Sequence, residues 1–152
     1  MKKIILFIPL LFLLSCEEDT PIDVRDNIEG TYAVLGDLYN IDCVLGASSQ
    51  GTLIMQKEGE SNMSIDIGDG IIFTANDFEE GEFGYEFNIP AQTINYDGTL
   101  LSIEGAGGDN CGEFDSGVGI DGKLNGTTLL LAIDFWDNEG VYVYWEFIGD
   151  KQ

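Results

Sequence analysis

Twenty-eight acidic side chains and no histidine bound the chemistry open to this 152-residue chain. Without His, general acid–base catalysis by imidazole, the usual serine and cysteine triads and most zinc hydrolase sites are excluded. No Walker loop, Gly-x-Ser-x-Gly elbow or dinucleotide fingerprint is present. The run Gly105-Ala106-Gly107-Gly108 leads into Asp109 and Asn110, not into a helix, so it is not expected to cradle a phosphate. A carboxylate pair of the glycosidase kind arises by chance at this acid content. The chain is therefore expected to be non-enzymatic.

Two other chemistries fit the residue types. Asp109, Asn110, Glu113 and Asp115 lie within seven residues in a glycine-rich segment, and hard oxygen donors at short spacing suit Ca²⁺. Asp66, Asp69 and Asp77 form a second acidic group. Neither has EF-hand spacing, and solvated loops and Asp-Gly turns account for the same residues. The aromatic residues Trp136, Tyr142 and Tyr144 are expected on neighbouring strands outside the core, where they would stack on a glycan or grip a protein partner. More often such residues are ordinary cross-strand pairs that stabilise a hairpin. Tyr32, Phe73, Phe87 and Trp145, expected to point inward, would line a pocket for a small apolar molecule unless the core is filled by its own side chains.

The elements that must position these groups are strands. From Ile28 onward the chain has short apolar or alternating runs separated by Gly, Asn and Asp, with no sustained helical period. The pattern predicts strands at 30–36, 51–57, 63–67, 71–78, 83–89, 99–105, 117–124, 127–136 and 140–149. Asp69-Gly70, Asp97-Gly98, Asn125-Gly126 and Asn138-Glu139-Gly140 supply the positive φ that tight hairpins require. Asp121-Gly122 reads as a further turn or as a bulge. By period two, Leu129, Leu131, Ile133 and Phe135 should face Val141, Val143, Trp145 and Phe147 inside, leaving Thr128, Leu130, Ala132, Asp134, Trp136, Tyr142, Tyr144 and Glu146 on a partly wet outer face. Consecutive hairpins predict a small antiparallel up-and-down (meander) β-barrel, with a β-sandwich as the alternative. A closed barrel of this size also lacks the cleft that a glycosidase needs.

The N-terminus carries a separate signal. Lys2 and Lys3 precede an apolar run from Ile4 to Leu14, which ends in Leu13-Leu14-Ser15-Cys16. This is similar to the lipobox of bacterial lipoprotein signal peptides, and the run is short of the roughly 20 residues a membrane span requires. The resemblance implies cleavage of residues 1–15, acylation of Cys16, an acidic tether over 16–27 and a single domain over 28–152. Each buried methylene of the acyl chains would add about 0.8 kcal/mol to anchoring. Export implies an oxidising compartment, in which one Cys43–Cys111 disulfide is the simplest arrangement, with two free thiols as the alternative. That bridge would contribute on the order of 4 kcal/mol. Without Lys2 and Lys3, four basic residues face 28 acidic ones, a net charge of −24. Nucleic acid is therefore not an expected partner, and the membrane would be held through the acyl anchor alone. Glu17-Glu18-Asp19 directly after Cys16 also resembles the surface-export signal of some Gram-negative lipoproteins, so the expected location is the outer membrane, facing periplasm or cell surface.

A second resemblance concerns the domain. Gly30-Thr31-Tyr32 is similar to the Gly-x-Trp that opens the lipocalins. The stretch from Gly117 to Gln152, read as Gly-x-Gly…Leu-x-Gly-x-x-Leu-x-Leu…Phe-x-Gly-x-Lys, resembles the end of small lipocalin-like (calycin-like) lipoproteins. These motifs imply a lipocalin-like barrel, with Lys151 at the place of the basic residue that packs over the opening aromatic. They imply a binding module for a small apolar molecule or glycan. The other reading is a structural or protein-interaction lipoprotein with a packed interior.

Overall fold

The computed structural model describes residues 22–40, 42–82, 84–96, 99–103, 121–137 and 142–152. One short helix, α1 (Arg25–Ile28), precedes ten strands: β1 (Gly30–Asn40), β2 (Leu45–Glu58), β3 (Asn62–Asp66), β4 (Ile72–Gly81), β5 (Gly84–Asn88), β6 (Gln92–Tyr96), β7 (Thr99–Ile103), β8 (Gly122–Asn125), β9 (Thr128–Asp137) and β10 (Tyr142–Lys151). All pairings are antiparallel, and eight strands close a ring in the order β10-β1-β2-β3-β4-β5-β8-β9, with β9 returning to β10. The barrel-like all-β fold is thus as expected, and a sandwich is not formed.

The ring departs from a plain meander at one place. β5 pairs with β8, while the β6–β7 hairpin is set off the ring against the upper part of β9, where Ile103 faces Phe135. β6 has no counterpart among the expected strands. Two side chains complete the wall where backbone pairing stops. Gln92 accepts from the Thr74 N–H at 2.8 Å and donates to the Thr74 carbonyl at 2.8 Å, standing in for a strand partner between β4 and β6. Asp121 accepts from the Ile89 N–H, its own N–H donates to the Phe87 carbonyl at 3.1 Å, and its carbonyl accepts from Ala132 at 3.0 Å. Asp121 is therefore a seam residue, neither turn nor bulge. Gly122 beside it lies in β8, because a Cβ there would occupy the position of the Phe87 ring.

Two of the expected turns form on their residues, while Asp97-Gly98 and Asn138-Glu139-Gly140 lie outside the described residues. Asp69 (φ 52°) and Gly70 (φ 79°) make the β3–β4 connection, and Gly126 (φ 63°) makes that between β8 and β9. The expected inward faces are inward: Leu129, Leu131, Ile133 and Phe135 of β9 are buried, as are Leu53, Met55, Met63, Ile65, Phe73 and Phe87 across the barrel. Val143 and Trp145 pack against this core. Tyr32, Phe73 and Phe87 are at most 2 % exposed, so they fill the lower barrel and do not line an open pocket.

The base is closed by residues that were expected to be tether. Arg25 is anchored on Asp23 through two hydrogen bonds of 2.9 and 2.8 Å and donates to the carbonyls of Gly59 and Asn62 in the β2–β3 turn. Lys57 bridges Asp23 at 3.1 Å and also pairs with Asp26. Ile28 is fully buried, and the Tyr32 hydroxyl donates to its carbonyl. Lys151 sits opposite Tyr32, crosses the bare face of Gly30, and its Nζ donates to the Asn27 carbonyl at 2.8 Å.

Two outcomes test this packing. Gly149→Ala should destabilise by about 2 kcal/mol in urea unfolding, because its Cβ would meet the Ala33 carbonyl and the Val34 backbone, which cannot turn aside. Gly51→Ala, with open space around its Cβ, should be neutral or slightly stabilising. The Arg25 guanidinium, followed by Lys57, holds the Asp23 carboxyl well below the usual carboxylate range. Its contribution is therefore complete above roughly pH 4 and lost only as pH falls through the depressed value. The stability gap between the native chain and Asp23→Asn should be flat from neutral to mildly acid pH and close only in strong acid.

Candidate functional site

Above the packed base, the barrel has one tall side. β2, β1, β10, β9, β7 and β6 rise past the β3–β4 turn, whose residues Ile67–Ile71 form a low lip. Period-two alternation gives this wall two faces, and they differ in chemistry.

The inner face carries Trp145 at its centre. Leu38 lies directly opposite Trp145 on β1 and Ile133 opposite it on β9. The indole meets Phe135 edge-on at 5.5 Å and 78°, and leans on Phe147 at 5.2 Å and 55°. Phe135, Ile133 and Phe147 are buried, but Trp145, Val143, Leu38, Leu101 and Ile94 are only half-buried. Among the described residues the result is an apolar mouth above a solid core, with an aromatic ring held in place from two sides. A flat apolar group or a sugar ring has a stacking surface there. Trp145 was legible as an inward residue; its position at the rim depends on the extra height of β1, β2 and β9, which alternation alone did not show.

The outer face carries Asp37, Tyr39, Ala132, Asp134, Tyr144 and Glu146. The register puts Glu146 between Asp37 and Ala132, and Tyr144 between Tyr39 and Asp134. This face was expected to be partly wet. Instead Tyr144 and Ala132 are fully buried, Glu146 is 2 % exposed and Asp134 4 %. The Tyr39 and Tyr144 rings lie 6.0 Å apart. Asp134 and Glu146 are not without interaction partners. The Tyr144 hydroxyl and the Asp37 Oδ1, however, are buried with no hydrogen-bond partner among the described residues. Burial, with the nearby Glu146 and Asp134 charges behind it, pushes the Tyr144 hydroxyl well above its ordinary range.

Of the three aromatics expected to meet a ligand or partner, Tyr144 is thus closed to solvent and Trp136 is half-buried. Tyr142 is placed by the register opposite Trp136. The acidic group Asp66, Asp69 and Asp77 serves the backbone: Asp66 Oδ1 accepts from the Gly68 N–H at 2.8 Å, and Asp69 and Asp77 take positive φ. Among the described residues no group of three or more acidic or cysteine side chains converges to hold a metal ion. Asp109, Asn110, Glu113 and Asp115 lie outside the described residues, as do Cys16 and Cys111. Cys43 is disulfide-bonded. Two open grooves lie elsewhere, of about 520 Å³ beside Leu35 and Ile148 and about 480 Å³ beside Val24 and Phe78; the second is lined by Asp23, Arg25, Glu60, Ser61 and Asp77, of which Asp23 and Arg25 are paired with each other. No protein-family model matches the chain, and no curated protein matches it.

The outer face predicts a measurable imbalance. A buried hydroxyl without a partner costs roughly 1–3 kcal/mol, so Tyr144→Phe should raise stability by about 1 kcal/mol. Burial raises the hydroxyls of Tyr144 and of Tyr32, the latter to about 12, so the folded state holds both as neutral phenols and its stability, level below roughly pH 10, falls as pH rises further and the unfolded chain ionises first. Alkaline unfolding followed by tyrosinate absorbance should begin above this range and move to higher pH in Tyr144→Phe.

Proposed function

We propose that the chain is a lipid-anchored envelope lipoprotein, held in the outer membrane through Cys16, whose domain is a non-enzymatic binding module for a small apolar molecule or glycan. The observation that carries this reading is Trp145, fixed against Phe135 and Phe147 yet half-open above the core. The ligand occupies the mouth, because Tyr32, Phe73 and Phe87 with the aliphatic residues around them leave no room lower down. Binding there draws on apolar burial and ring stacking, with worth of the order of 25 cal/mol per Å² of apolar surface covered. The anchor fits the geometry. Five residues separate Cys16 from Ile22, six Cα steps with a reach of at most about 20 Å in extended chain, so the plugged base faces the bilayer and the mouth faces away.

A second reading, an interaction lipoprotein with no small ligand, is favoured by the same filled lower barrel. The lipocalin-like family remains the expectation drawn from Gly30-Thr31-Tyr32 and the C-terminal motif, and the Lys151 contact with the end of α1 supports it.

Native mass spectrometry of the mature protein from its own envelope extract separates these readings. The expected result is a covalent acyl mass on Cys16, together with a non-covalent mass that is lost on unfolding and reduced at least tenfold in occupancy by Trp145→Ala. An acylated chain with no further mass would favour the interaction protein; an unacylated Cys16 would remove the anchor.

A further inference from the structure

The longest strand, β2, is paired on both sides only near its end. At Ile54 and Met55 it lies between β1 and β3, and Gln56 to Glu58 pair with β3 alone, but from Leu45 to Leu53 it pairs only with β1, and among the described residues no strand pairs with its other edge. Leu45 to Thr52 are exposed on both faces. Natural edge strands are blunted by charge, by Pro or by brevity. This one runs Leu45-Gly46-Ala47-Ser48-Ser49-Gln50-Gly51-Thr52-Leu53, nine residues with no charge and no Pro. It lies in the longest uncharged run after Cys16, residues 43–56, in a chain of net charge −22. Small side chains leave its amides and carbonyls open to approach.

Charge returns at the two ends. Asp42 is exposed in the turn before β2, and Asp66 lies opposite Ile54 where β3 ends, with Asp69 in the turn beyond. A chain laid along this edge would therefore have a neutral middle and an acidic neighbour at each end. A second copy of this protein, equally acidic, matches that pattern poorly. We infer that the Leu45–Leu53 edge of β2 accepts an extended peptide of a protein partner, added as a further antiparallel or parallel strand, with an uncharged centre and a basic residue at each end. The added strand would stand over the low lip formed by Ile67–Ile71 and raise the missing side of the barrel. This site is distinct from the Trp145 mouth and does not depend on a ligand there.

The probe is a nine-residue peptide of alternating Thr and Val with Lys at both ends, compared with a Glu-ended twin and with two versions N-methylated on alternate residues. The mature full chain is titrated with each while amide exchange is followed. The expected result is at least tenfold tighter binding of the Lys-ended than the Glu-ended peptide at low salt, a gap that narrows with added salt. Alternate amides of Leu45–Leu53 should be protected, one N-methyl register should bind and the other should not, and Asp42→Asn with Asp69→Asn should remove the preference for Lys. No binding at millimolar peptide, or equal binding of both N-methyl registers, overturns the inference. Protection of the same amides by self-association without peptide also overturns it and assigns the edge to a second copy.

Discussion

Closure of the base by Arg25 is the contact on which the rest of the barrel rests. Its side chain is 11 % exposed, a burial that a guanidinium tolerates only when its donors are satisfied and its charge is paired. Asp23 supplies the charge and the Gly59 and Asn62 carbonyls take up Nη1. This fixes four residues of helix, too few to be stable alone, and so holds Ile28 over Met63, Tyr32 and the other floor residues of the core. Lys57 and Lys151 fasten the same turn from two further sides, and the remaining cation of the domain, Lys123, pairs with Glu86 at 3.6 Å. Each basic residue after Lys3 thus works within the fold. The exterior is left to carboxylates, which keeps the domain dispersed and repels anionic surfaces.

A barrel wall must pair its backbone groups around the whole ring. Here β5 ends at Asn88 and the chain turns away through Ile89 and Pro90, so backbone alone cannot finish the seam. Asp121 and Gln92 finish it with side chains, each mimicking one stretch of a neighbouring strand. The consequence is a molecule of two heights. Below the seam, eight strands enclose a solid core; above it, the β6–β7 hairpin extends one side and leaves the other low.

Much of this was legible in the chain. The hairpin residues Asp69-Gly70 and Asn125-Gly126, and the alternation in Leu129–Phe135, located turns and inward faces because positive φ and period two are local properties. What escaped were elements whose cause is distant. β6, Gln-Thr-Ile-Asn-Tyr after a Pro, has weak alternation, and its place depends on Gln92 reaching Thr74 across the wall. The upper half of β2 is Gly, Ala and Ser, with no apolar period to announce a strand. Residues 23–27 read as solvated because Asp and Arg dominate them, yet their charges satisfy one another against the β2–β3 turn. At the candidate site, Trp145 was identifiable as an inward aromatic. The burial of Asp134, Tyr144 and Glu146 was not, since polar residues on an alternating strand ordinarily face water.

The two faces of the upper wall are not independent, because Tyr144 and Trp145 are consecutive residues of β10. The backbone position that sets Trp145 between Phe135 and Phe147 also sets Tyr144 beside Tyr39, Asp134 and Glu146, its hydroxyl without a partner among the described residues. A sequence under pressure for stability alone would place Phe at 144, since that ring fills the same volume without a stranded donor. Departures of this kind concentrate where a fold serves something beyond its own stability. The cost on the outer face of β10 lies one residue from the half-buried indole on the inner face, so the site proposed at Trp145 and the unsatisfied hydroxyl of Tyr144 share one strand and one backbone position.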